Sequence, residues 1–174
     1  MSLPSTIRPG ADEHSEYYGR YVSLVPDGDV IESLSNGLES LTTLLRGIPP
    51  ERERHRYEPG KWSIREMVGH IIDCERVFAY RALRFARNDA TPLEGFDQDP
   101  YVANAAFDEI PLSSLIRELD AVRQSTVLLF SHLAPEAWSR GGAANDTHVT
   151  VRAIAWISAG HGLYHENILR SRYL

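Results

Sequence analysis

The sequence predicts an all-α fold, an antiparallel four-helix bundle built by one domain that spans residues 1–174. Three observations lead to this prediction. Four long segments repeat apolar residues at intervals of three and four, no segment shows the alternation of a strand, and prolines and glycines separate the segments. Four amphipathic helices joined by two longer connections bury their apolar faces together as a bundle. A chain of this length can bury a substantial core.

The N-terminal part of the chain differs from the rest in composition. Residues 1–28 are rich in proline, glycine and tyrosine, and we expect an extended arm that packs on the bundle. The first helix is predicted to begin near Asp29, because apolar residues recur at helical spacing from Val30 to Leu45. Pro49 and Pro50 end this helix, since proline cannot continue one.

The second helix has a clear start signal. Ser63 and Glu66 form an S-x-x-E capping box, so the helix is predicted to run from Ser63 to about Arg87. Residues 88–111 contain three prolines and several polar residues, and they are predicted to form a long ordered loop. Loops of this length inside one domain are uncommon and often functional.

The third and fourth helices are delimited by prolines and a threonine. The third is predicted to follow Pro111 and to end before Pro135, and residues 139–149 are predicted to form a loop. Thr150 can cap the fourth helix, which is predicted to run through Arg170. Together with the two earlier segments, these helices complete the predicted bundle.

Two histidines of the fourth helix, His161 and His165, lie on the centre line of its apolar stripe. Residues four apart on a helix are neighbours, so two imidazoles at this spacing can bind one metal ion. The residues alone leave two interpretations open, a metal site or a buried pair held by hydrogen bonds. Gly160 and Gly162 flank His161 at a cost in helix propensity, which indicates that a close helix or a ligand needs the space.

Other polar side chains complete the candidate set. His70 lies on the shoulder of the second helix's apolar stripe, and with the other two histidines it could hold a divalent metal ion with one coordination position open. Cys74 is a candidate fourth ligand, which would close the site, or a small buried hydrophobe. Asp73 is a candidate for orienting a ligand, or part of a solvated face. Glu166 is predicted to be a surface residue.

Composition sets the expected partners and compartment. The net charge is −6, from 24 acidic and 18 basic residues, and this predicts no nucleic-acid partner. No apolar run reaches the roughly 20 residues that span a bilayer, so no membrane partner is expected. One cysteine excludes an intrachain disulfide and fits a reducing compartment, so the expected localisation is cytoplasmic.

Four sequence motifs, taken in order, resemble those of the DinB-like (YfiT-like) metalloprotein superfamily. The resemblance extends from Tyr18 to Tyr173. Its motifs are Pro59-Gly60-Lys61-Trp62-Ser63-Ile64-Arg65-Glu66, Gly69-His70-Ile71-Ile72-Asp73-Cys74-Glu75-Arg76, Gly95-Phe96-Asp97-Gln98-Asp99 and Ala159-Gly160-His161-Gly162-Leu163-Tyr164-His165.

The resemblance implies a four-helix bundle with a divalent metal ion, nickel or zinc, held by His70, His161 and His165. It also implies a homodimer, since members are frequently dimers. Activities in the family include transfer and isomerisation with low-molecular-weight thiols, and some members are regarded as hydrolases. Trp62, Phe96 and Tyr101 are expected to shape a pocket near the metal.

We therefore expect a metal-dependent transferase that acts on a small-molecule substrate with a low-molecular-weight thiol. In that reaction the thiol would occupy the open metal position as a thiolate. The alternatives are a metal-dependent hydrolase that uses metal-bound hydroxide, and a non-catalytic stress-response binding module. The three histidines bind the metal ion in both enzymatic alternatives, so the sequence does not distinguish a transferase from a hydrolase.

Overall fold

A computed structural model describes residues 3–174 and contains six α-helices and one β-hairpin in that range. Short 3-10 turns lie between several of these elements, and a π-helical turn, Leu169–Tyr173, follows the last helix. The elements are α1 (Glu16–Val22), α2 (Val30–Arg46), α3 (Ile64–Ala86), α4 (Gln98–Ala105), α5 (Leu112–Ser131), β1 (Gly141–Ala144), β2 (Thr147–Thr150) and α6 (Val151–Ile168).

The four long helices α2, α3, α5 and α6 form the bundle, which confirms the predicted fold class. Each of α2 and α3 packs against both α5 and α6, so α2 and α3 lie diagonally although they are consecutive long helices. The connection of residues 47–63 crosses the end of the bundle to join them. This crossing brings Trp62, at the end of the connection, next to the start of α3.

The starts of three bundle helices are fixed by side chains. Asp29 caps α2 by accepting a hydrogen bond from the Ile31 amide, and Thr150 caps α6 by accepting one from the Ala153 amide. Ser63 and Glu66 form the predicted capping box at α3. The fourth start, of α5, has Pro111 at the cap position, and the Leu112 amide donates a hydrogen bond of 3.3 Å to the carboxylate of Glu53.

The N-terminal arm packs on the bundle but is not extended throughout. It contains helix α1, which lies against α6, and its first two residues are outside the described residues. Arg8 donates to the carbonyl oxygens of Val22 and Val25 within the arm, and it contacts the bundle by stacking over the Trp156 ring of α6 at 4.4 Å. The arm therefore covers one face of α6.

Two other segments predicted as loops contain regular structure. Within 88–111, Asp97 caps the short helix α4, whose internal Pro100 lies in the first turn where proline is tolerated. Within 139–150, the strands β1 and β2 pair antiparallel around Asn145 and Asp146, which have φ values of 53° and 58°. Positive φ at both central residues is typical of the turns that two-residue hairpin loops favour. In residues 3–174, no helix is long and apolar enough to cross a membrane.

Candidate metal centre

His70 of α3 and His161 and His165 of α6 converge in the interior of the bundle. Nε2 of His161 lies 3.2 Å from Nε2 of His70 and 3.1 Å from Nε2 of His165. One nitrogen from each ring lies within 4.8 Å of the other two. All three side chains are buried, with 3–7% of their surface exposed. The three residues that the sequence singled out are thus in mutual contact.

The two glycines beside His161 have different amounts of space around them in the structure. A Cβ atom at position 160 would lie 2.0 Å from the carbonyl oxygen of Tyr21, so Gly160 allows α1 to pack directly on α6. A Cβ atom at position 162 would lie 3.4 Å from Nη2 of Arg123. The structure thus shows the close helix neighbour at Gly160, whereas a Cβ atom at position 162 would make an ordinary contact.

Aromatic rings surround the histidines. Trp62 packs on His70 with ring centroids 4.7 Å apart, and Tyr21 and Phe78 contact His161 at 5.3 and 5.7 Å. Tyr164 contacts His165 edge-on at 5.3 Å. These rings shield the imidazoles from water, which disfavours their charged forms.

Burial keeps the three imidazoles neutral. It lowers the pKa of His70 to about 4. Burial, followed by the charges of His70 and Arg20, lowers the pKa of His165 to about 3. The pKa of His161 is also lowered well below its usual value, first by burial and then by its histidine neighbours. Neutral imidazole is the form that binds a metal ion.

The donor set fits a divalent metal ion better than it fits a hydrogen-bonded cluster. Each neutral imidazole nitrogen carries either one proton or one lone pair. Nε2 of His161 approaches both other Nε2 atoms, so it cannot make a good hydrogen bond to each of them at once. Three lone pairs directed at one cation would satisfy all three atoms. Tetrahedral coordination with bonds of about 2.0–2.1 Å separates nitrogens by about 3.3 Å, close to the distances found here.

Cys74 lies beside the cluster but does not belong to it. Its Sγ is 3.6 Å from Nδ1 and 3.7 Å from Nε2 of His70, and it is not part of the group of three converging ligand atoms. Burial raises the pKa of the Cys74 thiol to about 12, so the thiol is protonated at neutral pH. The arrangement leaves three protein donors, as in catalytic metal sites, and Cys74 is not an activated nucleophile.

Asp73 is not brought to the histidines. Its carboxylate lies 3.7 Å from the guanidinium of Arg76, which in turn pairs with Glu118 of α5. No hydrogen bond joins Asp73 to an imidazole in the described part of the chain.

Nδ1 of His165 is buried and has no hydrogen-bond partner in residues 3–174, so packing against Tyr164 orients this ring.

The prediction that Glu166 is a surface residue is wrong. Only 6% of its surface is exposed, because α2 and the C-terminal turn cover it. Ser40 donates a hydrogen bond of 2.7 Å to its carboxylate, and Arg170 forms an ion pair with it at 2.7 Å. Glu166 follows His165 directly and so points to another side of α6, but that side faces α2 instead of water.

A buried ion pair near the cluster was not predicted from the sequence. Arg123 of α5 donates to both carboxylate oxygens of Glu75 at 2.7 and 3.0 Å, and also to the Leu34 carbonyl oxygen. The two side chains are 4% and 2% exposed. Their only sequence signal is a charge on an otherwise apolar helix face. The pair links α2, α3 and α5 at the level of Gly162.

Two cavities reach the histidines from different sides. The first, of about 420 Å³, touches His165, and the second, of about 340 Å³, touches His161 and Cys74. Their walls come mainly from α1, the start of α4, the 57–62 connection and the hairpin tip, and they share Tyr17, Tyr21 and Gln98. A larger cavity of about 620 Å³ lies between α2 and the C-terminal turn and touches none of the three histidines.

Two of the three residues predicted to shape a pocket line a cavity that reaches a histidine, and the third does not. Trp62 lines the cavity at His165, and Phe96 lines the cavity at His161. Tyr101 packs against Phe96 with centroids 5.1 Å apart, but it is 48% exposed and lines neither cavity. Residues that the sequence did not suggest, Arg20 among them, also line these cavities.

Known proteins share this fold and parts of this sequence. A protein of Oceanobacillus iheyensis, whose name assigns it to the metal-dependent hydrolases, is 26% identical over 120 residues, which are 64% of this chain and 68% of that protein. YfiT from Bacillus subtilis, described as a metal-dependent hydrolase with an unusual four-helix bundle topology, matches with a TM-score of 0.73 at 16% identity over 97% of both chains. The mycothiol-dependent maleylpyruvate isomerase matches with a TM-score of 0.67 at 10% identity, over 79% of this chain and 58% of that chain.

The exclusion of nucleic acid as a partner is contradicted by another structural match. The colibactin self-resistance protein ClbS, solved in complex with a dsDNA, matches with a TM-score of 0.60 at 15% identity over 81% of this chain and 93% of that chain. A net charge of −6 describes the whole chain and does not describe any one face of it. An acidic total therefore does not exclude a nucleic-acid partner for a protein with this fold.

The sequence match to a family covers most of the chain. The sequence profile of the DinB superfamily matches residues 33–169, a range that includes all three clustered histidines. The bundle, the diagonal placement of α2 and α3 and the buried histidines agree with that match. The chain belongs to the DinB superfamily.

Proposed function

We propose that this protein is a metal-dependent enzyme that transfers a group to or from a low-molecular-weight thiol. In this proposal His70, His161 and His165 hold one divalent cation, nickel or zinc. The observation that carries it is the convergence of three buried, neutral histidine nitrogens between two cavities. A small-molecule substrate in one cavity and a thiol in the other would meet at the histidines.

Several side chains have defined tasks in such a reaction. A divalent cation held there would lower the pKa of a coordinating thiol or water molecule, which both thiol transfer and hydrolysis require. The neutral imidazoles supply the lone pairs, and Trp62, Tyr21 and Phe78 exclude water from them. Burial raises the pKa of the Tyr21 phenol, so this group stays protonated at neutral pH.

The surroundings of the histidines favour thiol transfer over hydrolysis. Within residues 3–174, no carboxylate belongs to the cluster or hydrogen-bonds to an imidazole, and the two that line the cavities are Asp97, which caps α4, and Asp99. A thiol activated by coordination does not need a carboxylate as a general base. The two cavities give room for two organic reactants, and the fold match to a mycothiol-dependent isomerase supports the use of a thiol.

Hydrolysis is the second candidate. The observation that favours it is that the Oceanobacillus iheyensis relative and YfiT both bear hydrolase descriptions. The same three histidines would serve, with water in place of the thiol.

Metal analysis tests the site. Wild-type protein purified with nickel or zinc should contain about one ion per chain, and His161→Ala should lose it, because two nitrogens rarely hold a catalytic cation. His132→Ala, which removes an exposed histidine, is the matched control and should keep the ion. Metal at a hundredfold excess over its dissociation constant should raise the Tm of wild-type protein by about 5–10 °C. Equal metal content in wild type and His161→Ala would contradict the proposed site.

A comparison of thiols with alcohols tests the reaction class. Low-molecular-weight thiols should raise the Tm of the metal-loaded protein, and the corresponding alcohols should not, because only a thiol coordinates as an anion at neutral pH. The shift should disappear in His161→Ala and persist in His132→Ala. A metal-loaded protein that no thiol stabilises would favour the hydrolase instead.

A further inference from the structure

Arg20, on helix α1, is held in the cavity at His165 by aromatic rings. Its guanidinium lies 3.8 Å from the ring centroid of Tyr17, 4.9 Å from that of Tyr21 and 5.7 Å from that of Tyr164. Its Nη2 donates a hydrogen bond of 3.2 Å to the Tyr21 hydroxyl. Stacking of this kind fixes a guanidinium while leaving its other N–H groups available.

The charge of Arg20 is not neutralised by an acidic side chain. In the described residues nine of the seventeen arginines form ion pairs with carboxylates, and Arg20 is one of the eight that do not. Those nine are Arg8, Arg54, Arg56, Arg65, Arg76, Arg84, Arg123, Arg152 and Arg170. Arg20 is an exposed residue that lines a cavity and has no ion-pair partner in the described residues, so its guanidinium is available to an external anion in that cavity.

The cavity at His165 contains more positive than negative charge. Arg20 and Lys61 both line it, and Asp99 is the one carboxylate among its lining residues in the described range. Lys61 and Asp99 also line the adjoining cavity of about 270 Å³, which Arg20 does not reach. Lys61 and Asp99 thus lie where the two cavities adjoin, and Arg20 lies away from that junction.

One aromatic ring, that of Tyr21 or Tyr164, lies between Arg20 and the nearest histidines. Tyr21 contacts both Arg20 and His161, and Tyr164 contacts both Arg20 and His165. A substrate a few atoms long can therefore place one end at the imidazole nitrogens and the other at the guanidinium. This distance suits a small molecule with a reacting group and a separate anionic group.

We propose that Arg20 binds a carboxylate of the substrate, so that this enzyme acts on small carboxylic acids whose reacting group lies at the three histidines. This inference rests on the proposed function, because it needs an open metal position at those histidines. The planar guanidinium can bind both carboxylate oxygens, which a lysine cannot do as well.

Two matched hydroxamates test this subsite. N-hydroxysuccinamic acid carries a carboxylate at its far end, and N-hydroxysuccinamide carries an uncharged amide at the same position. Both coordinate an open metal position through the hydroxamate whether the enzyme is a transferase or a hydrolase. Their dissociation constants can be read from the visible spectrum of the cobalt(II)-loaded protein.

The wild-type protein should bind the carboxylate compound on the order of tenfold more tightly than the amide, since charge-assisted hydrogen bonds are about twice as strong as neutral ones. Arg20→Met should bind both compounds equally, because neither compound then meets a guanidinium at its far end. Arg20→Lys should keep part of the preference. Arg117→Met, which removes an exposed arginine on α5, changes the net charge equally and should keep the full preference.

The outcomes separate the two proposals. Equal binding of the two compounds to wild-type protein, or a preference that survives in Arg20→Met, would overturn the carboxylate subsite and leave the metal site standing. A cobalt spectrum that neither compound changes would overturn the open metal position, and the subsite with it. A loss of preference in Arg117→Met as large as in Arg20→Met would overturn the subsite, because it would assign the effect to total charge.

Discussion

The substitution Gly160→Ala tests whether contact between the backbones of α1 and α6 determines the position of the arm over the histidines. The added Cβ atom would lie 2.0 Å from the Tyr21 carbonyl oxygen, 2.5 Å from its carbonyl carbon and 3.0 Å from its Cα atom. These are backbone atoms, so no change of rotamer can relieve the overlap. A carbon–oxygen contact needs about 3.3 Å, so α1 must move away from α6 by more than about 1 Å.

The free energy of this change has two opposing parts. Alanine gains about 1 kcal/mol over glycine in helix propensity, and overpacking costs about 1–3 kcal/mol. Gly37→Ala on α2 isolates the first part, because a Cβ atom there would meet nothing within 4 Å. The free energy of unfolding of Gly160→Ala should therefore be about 1–3 kcal/mol lower than that of Gly37→Ala. The corresponding difference in Tm is about 2–4 °C per kcal/mol for a chain of this length.

Urea denaturation of the metal-free variants, followed by circular dichroism, measures this difference. Because Tyr21 packs on His161, Gly160→Ala should also weaken cobalt(II) binding, and Gly37→Ala should not. The reasoning would be refuted if Gly160→Ala were as stable as Gly37→Ala or more so. That result would mean that α1 can move away from α6 without losing contacts of any consequence.

Two further predictions concern buried charge and acid. Glu75→Gln should lower the free energy of unfolding by about 3–5 kcal/mol, because it leaves Arg123 buried without its carboxylate, and adding Arg123→Met should recover part of the loss in urea denaturation. A double variant no more stable than Glu75→Gln would contradict this. Between pH 6.5 and about 5, the metal-free protein should lose stability as pH falls, since the unfolded histidines take up protons that the buried ones, with lowered pKa values, do not. Each histidine contributes up to about 1.4 kcal/mol per pH unit to this loss, so the free energy of unfolding of His161→Ala should depend less steeply on pH in the same assay. An unchanged pH dependence would contradict the assignment of the loss to the buried histidines.

The sequence predicted the long helices well because their signals are local. Apolar spacing locates a helix whatever surrounds it, and the capping box at Ser63 fixed the start of α3 to the residue. The same spacing brought His161 and His165 together, since they share one helix. The proximity of His70 depends on how α3 packs against α6, so its place on the helix made it a candidate and the family resemblance made it an expected ligand.

The missed elements have weak or non-local signals. Helix α1 has seven residues, too few for a periodic pattern, and it is stabilised by packing on α6. The hairpin strands are four residues long, and β1 contains only glycine and alanine, so no alternation is visible. The burial of Glu166 and the Glu75–Arg123 pair depend on contacts between residues far apart in the chain. Such contacts cannot be read from spacing.

The cavities are enclosed mainly by segments outside the bundle, and this has a consequence for how such a protein can evolve. The three histidines are on α3 and α6, while most of the cavity wall belongs to α1, the start of α4, the 57–62 connection and the hairpin tip. Surface segments accept substitutions and changes of length more readily than a packed core does. A new substrate preference can therefore arise through mutation of these segments while the spacing of the imidazole nitrogens stays the same. Relatives that differ in the arm and the hairpin are expected to differ in substrate even where all three histidines are retained.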